Sequence, residues 1–128
     1  MTSRKDLPEF RLSIRVPYGD TDGQRRVHHA NYLHYFERAR VEMLRSLGRD
    51  YKSIEDEGLY LVVTQMNVRY HRPADFDDEL TVTTRVTDLG RVRMRHAYAI
   101  HRGEDLLVDA DSTIACINQQ GKPARLPF

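Results

Sequence analysis

Two carboxylates stand in a polar segment directly before a stretch with helical spacing. The segment runs from Tyr18 to Tyr32 as Tyr-Gly-Asp-Thr-Asp-Gly-Gln-Arg-Arg-Val-His-His-Ala-Asn-Tyr, with Asp20 and Asp22 near its start. Backbone N–H groups in the first turn of a helix have no intrahelical acceptor and carry the positive end of the helix dipole. They can hold an oxyanion, while a carboxylate facing them attacks a carbonyl or activates water. These residue types therefore indicate acyl transfer.

Other interpretations of the same segment are open. An aspartate in a polar loop before a helix most often caps the helix or forms a turn. Three histidines, His28, His29 and His34, also lie near carboxylates, as zinc ligands do. However, His29 and His34 are five positions apart and do not share a helical face at the i, i+4 spacing of a helical zinc pair. We therefore expect structural histidines and no metal or cofactor.

The segment lies between a predicted strand and a predicted helix. Apolar and polar residues alternate from Phe10 to Val16, which is the period of a half-buried strand, and Pro17 ends it. Gly48 is a natural stop for the predicted helix, and Asn31 or the residues just before it could cap its start. A second short helix is predicted between Ser53 and Gly58. The apolar positions with helical spacing are Tyr32, Phe36, Ala39, Met43 and Leu47.

The remainder of the chain has the pattern of four strands joined by short turns. The predicted strands span 59–70, 80–87, 92–100 and 106–117, with turn residues at 77–78, 89–90 and 102–103. Strands in direct succession favour an antiparallel sheet. A helix of about 17 residues is about 25 Å long, similar to strands of eight to ten residues, so one sheet could curl around it. The predicted class is α+β.

Composition excludes several classes of protein. The 128 residues suit one domain, 1–128, with loose tails at 1–9 and 119–128. A net charge of +1 gives no electrostatic case for nucleic-acid binding, and no apolar run approaches the length that crosses a bilayer. The lone Cys116 and the polar start predict a cytoplasmic protein with no internal disulfide. Seventeen of the 20 basic residues are arginine, which suits phosphate.

Two motifs carry a resemblance to a known family. The first is Tyr-x-Asp-Thr-Asp, ending at Asp22, followed by Val-x-His-x-x-Tyr, ending at Tyr32, and by Tyr-Phe-Glu-Arg-Ala-Arg over 35–40. The second is Arg-Pro-Ala-x-x-x-Asp, over 72–78. The chain resembles the 4-hydroxybenzoyl-CoA thioesterase family, and is similar to the acyl-CoA thioesterases of the Tol–Pal cluster, over about residues 15–117.

The resemblance implies a fold, an assembly and a set of site residues. The fold would be the hotdog fold, an antiparallel sheet wrapped around one long helix. Asp22 would be the nucleophile or general base, the backbone N–H of His29 would polarise the thioester carbonyl, and Asp20 would be structural. Arg91 and Arg93 match the region where some members hold the phosphates of coenzyme A. Subunits would pair with the ligand groove at their interface, as dimers or tetramers.

Two further candidates come from the helix itself, and each has a structural alternative. Glu37 could point toward the ligand or pair with a neighbouring arginine on a solvated face. Tyr32, with Tyr35 and Phe36, could line an acyl pocket or belong to the core. A solvated sheet face would equally explain the alternating Arg91 and Arg93.

One position departs from the family. Its members usually have Gly where this chain has Arg25 or Arg26, at a tight turn that could be left-handed. The loop could therefore follow a different path, or its arginines could meet ligand phosphates.

The predicted function is hydrolysis of an acyl-CoA to a carboxylic acid and free CoA. One alternative is a thioesterase acting on acyl or polyketide chains held by a carrier protein, and another is a non-catalytic module that binds acyl-CoA or a partner protein. A hydratase would need a histidine-based acid/base pair, for which no motif is present.

Overall fold

The computed structural model describes residues 8–128, which form two helices and five strands in the predicted order. Residues 1–7 of the predicted N-terminal tail lie outside the described part. A short 3-10 turn, Tyr18–Asp20, follows the first strand. The elements are β1 Phe10–Arg15, α1 Asn31–Ser46, α2 Tyr51–Asp56, β2 Tyr60–Tyr70, β3 Glu79–Leu89, β4 Arg93–Arg102 and β5 Asp105–Ile117.

The strands form one antiparallel sheet whose order is β1-β3-β4-β5-β2. β3, β4 and β5 are joined by short turns, as the sequence predicts, whereas β2 pairs with β5 at the far edge. The pairing places Val82, Ile100 and Val108 in one row across the centre of the sheet. All three are fully buried. The α+β architecture and the antiparallel sheet are confirmed.

The long helix packs its apolar stripe against the sheet. Tyr32, Phe36, Ala39 and Met43 are buried as predicted, and burying a large apolar side chain contributes about 1.5–3 kcal/mol. Leu47 was predicted to join this stripe, and that prediction is wrong, since its side chain is 59% exposed. The helix ends at Ser46, and Leu47 adopts a non-helical conformation that turns it away from the stripe.

Backbone hydrogen bonding explains where α1 ends. Gly48 has φ +87°, its N–H donates to the Arg45 carbonyl, and the next N–H, of Arg49, donates to the Leu44 carbonyl. This pattern is a Schellman motif, and it confirms Gly48 as the stop. At the other end Ala30 occupies the cap position and gives no side-chain cap.

Two details of the predicted secondary structure are wrong. Asn31 does not cap the helix, because its side-chain amide instead donates to the Asp20 carbonyl at 2.8 Å. The second helix begins at Tyr51 rather than Ser53. It starts earlier because the Asp50 carboxylate caps it, accepting a hydrogen bond from the Ser53 N–H at 2.7 Å.

The C-terminal segment, predicted to be a loose tail at 119–128, is packed on the sheet. The Ala124 N–H donates to the Cys116 carbonyl, and the Leu126 N–H donates to the Arg91 carbonyl at 2.7 Å. Leu126 is buried beside Met94. The prediction was wrong because the sequence around Leu126 is polar and contains proline, so it gives no sign of the strand on which Leu126 packs. No helix within residues 8–128 is long and apolar enough to cross a membrane.

Candidate active site

Asp22 lies in a tight loop between the 3-10 turn and α1, and backbone amides hold one of its carboxylate oxygens. Oδ1 accepts hydrogen bonds from the N–H groups of Gln24 at 2.7 Å and Arg26 at 3.3 Å. The Asp22 N–H donates to the Arg26 carbonyl at 2.8 Å. The second oxygen, Oδ2, has no donor among the described residues. Asp22 is therefore both a turn former and a carboxylate with one oxygen free to react.

The left-handed residue of this loop is Arg25. Its φ is +69°, in the left-handed region that favours glycine, whereas Arg26 is not in that region. The predicted left-handed turn is thus confirmed and assigned to Arg25. A non-glycine residue pays about 1–2 kcal/mol for this conformation. The side chain of Arg25 is exposed.

The second motif fixes the path of this loop. The Val27 N–H donates to the Ala74 carbonyl at 2.9 Å, and the Phe76 N–H donates to the Arg25 carbonyl at 2.9 Å. From the helix side, the Tyr32 hydroxyl accepts from the Ala74 N–H at 3.2 Å. The Arg-Pro-Ala turn thus connects the Asp22 loop to α1, which explains why the two motifs occur together.

Asp20 connects the end of β1 to the start of the helix. Its carboxylate accepts a hydrogen bond from the Tyr35 hydroxyl at 2.8 Å, and its carbonyl accepts from the His28 N–H at 3.0 Å. Burial, followed by this bond to a carboxylate, raises the pKa of Tyr35, so the phenol keeps its proton. Asp20 is engaged from two sides, which fits the structural role that the resemblance implies.

The amides at the helix start lie across from the loop. The His29 N–H donates to no acceptor within residues 8–128, whereas the Ala30 N–H donates to His28 Nδ1 at 3.2 Å. Because Nδ1 of His28 accepts, a neutral His28 ring carries its proton on Nε2. The rings of His28 and His29 stack with centroids 4.3 Å apart. The His29 amide is thus a helix-start N–H that no group within residues 8–128 accepts.

Asp22, His29 and Tyr32 line one open pocket of about 390 Å³. Tyr32 is buried, so its ring forms the floor while its hydroxyl is used by the Arg-Pro-Ala turn. The pocket thus brings together three of the six residues predicted for the site. Its remaining walls are formed by Gln24, Arg26, Val27, His28, Tyr70, His71, Arg72 and Pro73.

Two wall residues, Tyr70 and His71, were not identified from the sequence as site residues. The Tyr70 hydroxyl donates to the His29 carbonyl at 3.3 Å, and its ring lies edge-on to the His29 ring. His71 Nε2 lies 2.6 Å from an Asp109 oxygen, and this hydrogen bond lowers the pKa of Asp109. Tyr70 is the last residue of β2 and His71 follows it, and only the tertiary packing of that strand end on the helix start brings them to Asp22.

The other three predicted site residues lie elsewhere in the chain. Glu37 lines a separate cavity beside Val62 and Val63 of the edge strand, and it forms no ion pair among the described residues. Arg93 lies beside Thr64 on the outer part of the sheet, and Arg91 is exposed in the bend before β4. One chain alone therefore does not join these residues to the Asp22 pocket.

The sheet register shows how far Arg93 lies from the Asp22 pocket. Arg93 pairs with Ala115, which pairs with Val62 near the start of β2. The pocket residue Tyr70 lies eight positions further along that strand, which corresponds to about 26 Å. An arginine side chain cannot span that distance.

The described residues offer neither a metal site nor a reactive thiol. Across residues 8–128, no three His, Cys, Asp or Glu side chains converge as metal ligands do. Cys116 is fully buried, and this burial raises the pKa of its thiol. A buried, protonated thiol is a core residue rather than a nucleophile.

Comparison with known proteins decides the family. The model of the thioesterase superfamily matches residues 24–108. This chain belongs to the thioesterase superfamily. Acyl-CoA thioester hydrolase YbgC of Escherichia coli is 36% identical to it over 120 residues, which cover 92% of this chain and 90% of that protein. Its family therefore identifies this protein as a thioester hydrolase.

Solved structures of the superfamily show the same fold. A crystal structure of a probable thioesterase from Bartonella henselae has a TM-score of 0.90 at 40% identity, covering 94% of this chain and all of that one. The DHNA-CoA thioesterase of Staphylococcus aureus has a TM-score of 0.88 at 29% identity, covering 92% and 80%. The family resemblance and the hotdog fold are confirmed.

Proposed function

We propose that this thioesterase hydrolyses acyl-CoA, with Asp22 and the His29 amide as its reacting groups. One observation carries the proposal: a carboxylate with a free oxygen and an unpaired helix-start N–H line the same pocket. The thioester carbonyl oxygen would accept a hydrogen bond from the His29 N–H. Negative charge that develops on this oxygen in the transition state strengthens that bond.

The Asp22 carboxylate then has two routes to the same products. As nucleophile, Oδ2 attacks the carbonyl carbon, the C–S bond breaks, the thiolate leaves, and water hydrolyses the resulting anhydride. As general base, it takes a proton from a water molecule that attacks instead. Either route yields a carboxylic acid and a free thiol. Single-turnover hydrolysis in ¹⁸O-labelled water identifies the nucleophilic route when water attacks the Asp22 carbonyl carbon of the anhydride, because an unlabelled oxygen of Asp22 then enters the product and ¹⁸O stays on the enzyme.

A thiol carrier of the coenzyme A type is supported by the relatives and by the arginines. The Escherichia coli relative is an acyl-CoA thioester hydrolase, and the Staphylococcus aureus relative is a DHNA-CoA thioesterase. Arg91 and Arg93 suit phosphate groups. A carrier protein is the alternative, and it would make these arginines less important for a free acyl-CoA.

We propose a homo-oligomer, a dimer or a tetramer, in the cytoplasm. β2 is an edge strand that bears the exposed apolar residues Val63 and Tyr70. An unpaired edge of this kind is suited to join a second copy. Across such an interface, Glu37, Arg91 and Arg93 of one subunit could approach the Asp22 pocket of the other.

A substrate panel tests the proposed activity. Aliphatic and aromatic acyl-CoAs are incubated with the full chain, and release of free thiol is followed spectrophotometrically. We expect catalytic hydrolysis of at least one acyl-CoA. Hydrolysis of acyl-carrier protein but of no acyl-CoA would favour the carrier alternative, and binding without thiol release would favour the non-catalytic module.

A further inference from the structure

A second cavity lies near the opposite end of α1 from the Asp22 pocket. Its volume is about 310 Å³, and its polar lining residues are Arg40, Tyr51, His96 and Arg49, of which Arg49 is paired with Glu57. Arg40 is eleven residues after His29, which corresponds to about 16 Å along the helix axis. The two cavities share no lining residue. The apolar walls include Met43, Leu44, Leu47, Val86, Leu89 and Met94.

The guanidinium of Arg40 is buried at this cavity without an anionic partner. The residue is 6% exposed, and its Nη1 donates to the Tyr98 hydroxyl at 3.1 Å. Its Nε has no hydrogen-bond partner, and no carboxylate within residues 8–128 lies within 4 Å of it. An arginine stays charged at any physiological pH, and a buried charge is costly unless it is paired. The cavity therefore contains a fixed positive charge that lacks a counter-ion.

His96 provides a second unused polar group beside this charge. It is 2% exposed, and its Nδ1 has no hydrogen-bond partner. The ring stacks on Tyr98, with centroids 5.9 Å apart. Burial and then the charge of Arg40 lower the pKa of His96 to about 4, so the imidazole is neutral near pH 7. In one neutral tautomer Nδ1 carries the proton and is a donor.

The size and chemistry of the cavity define a class of ligand. An ionised carboxylate carries the negative charge that the buried Arg40 guanidinium lacks as a partner, and it accepts hydrogen bonds only. The apolar walls suit a hydrocarbon chain. An apolar cavity of about 150 Å³ holds benzene, so twice that volume suits about a dozen heavy atoms. Decanoate has this size.

We propose that this cavity is a binding site for a medium-chain aliphatic carboxylate, with its head group on Arg40 and His96. The chain would extend along Met43 and Met94 toward the mouth at Leu47. The site is separate from the Asp22 pocket and does not depend on thioester hydrolysis. A protein that lacked hydrolase activity would still bind the carboxylate here.

Calorimetry tests the charge requirement without any variant. It compares the binding of decanoate, below its micellar concentration, with the binding of decanol, below its solubility limit. We expect decanoate to bind the full chain at least tenfold more tightly than decanol, since only decanoate supplies a counter-ion. Equal affinities, or no binding of decanoate, would overturn the proposal.

Methionine methyl NMR locates the bound ligand. Met43 and Met94 line the cavity, whereas Met66 packs against a different part of the core. We expect decanoate to shift the ¹³C-methyl resonances of Met43 and Met94 and to leave that of Met66 unchanged. A shift confined to Met66 would overturn the proposed location.

Substitutions separate the head-group and chain contacts. Arg40→Met should weaken decanoate binding at least tenfold and leave decanol binding within about twofold. If that variant does not fold, Leu47→Glu at the exposed mouth serves instead, since its carboxylate repels the ligand. Leu33→Glu, on an exposed helix position outside the cavity, is the matched control and should bind decanoate normally. Equal effects of the two glutamates would contradict the site.

Discussion

At the scale of single residues, the geometry of Asp22 is compatible with two roles that were alternatives in the sequence, the turn former and the proposed catalytic group. The hydrogen bonds to its Oδ1 are those of a turn former, and they also fix the direction of Oδ2. A catalytic group must be held within a fraction of an ångström of its productive position. The turn is therefore the device that orients the carboxylate, rather than an argument against catalysis.

Substitutions at Arg25 test how the loop tolerates its left-handed position. Arg25→Gly should change the free energy of unfolding by less than about 1 kcal/mol, because relief of backbone strain offsets the entropy of glycine in the unfolded chain. Arg25→Val should lower it by about 1–2 kcal/mol, since a β-branched residue is disfavoured at φ +69°. Chemical denaturation measures both.

The matched control for this pair is Arg26→Val, at the next position, which has no positive φ. Arg26 forms a bridge with Asp75 in extended backbone, where valine is favoured. A similar loss of stability at both positions would show that the side chains matter and the left-handed turn does not.

At the scale of elements, the turn between β2 and β3 supports the Asp22 loop. The Asp78 carboxylate accepts hydrogen bonds from the Asp75 N–H at 2.8 Å and from Arg102 at 2.7 Å. The Asp78 carbonyl also accepts from the Val16 N–H at the end of β1. A single side chain thus joins the turn to β4, and its backbone joins the turn to β1.

Asp78→Asn is expected to loosen this support. Losing the charged bond to Arg102 should lower the free energy of unfolding by about 1–3 kcal/mol. Turnover should fall more than the affinity for substrate, because Asp22 and the His29 amide would lose their alignment. Denaturation and steady-state kinetics give the two values. Asp77→Asn, at the exposed neighbouring position, is the control, and an equal effect there would contradict the role of Asp78.

Secondary structure was largely predictable because its signals are local. Alternation from Phe10, the apolar stripe of α1 and Gly48 each act over a few residues, and the corresponding elements form. The errors occurred where contacts with residues distant in sequence determine the position of a side chain. Leu126 is buried by the strand it covers, and Tyr70 and His71 reach the pocket through the packing of a strand end on a helix start.

At the scale of the whole molecule, one chain holds only part of the predicted site. Asp22, His29 and Tyr32 come from one continuous motif and share a pocket, whereas Arg93 lies about 26 Å of strand away. The motif could be predicted because its residues are adjacent in sequence. In the proposed oligomer, the place of Arg93 relative to Asp22 depends on a second subunit, about which the sequence of one subunit contains no direct signal.

The phosphate role of Arg93 can be tested with a truncated substrate. Arg93→Ala should raise KM for an acyl-CoA about tenfold with little change in kcat, because a phosphate contact contributes uniform binding. The corresponding N-acetylcysteamine thioester has no phosphates, so its kinetics should not change. Arg85→Ala, an exposed arginine on β3, is the control. Equal losses with both substrates would show that Arg93 acts on structure rather than on phosphate.

The most direct test of the account is the turnover of Asp22→Asn. This change keeps the shape and the acceptor oxygen of the side chain but removes its charge, so it removes a transition-state interaction. We expect kcat for acyl-CoA hydrolysis to fall by about 10³-fold or more, with KM within about threefold. Asp56→Asn, on the exposed face of α2, should retain full activity. Turnover of Asp22→Asn within tenfold of the unaltered enzyme would contradict the assignment.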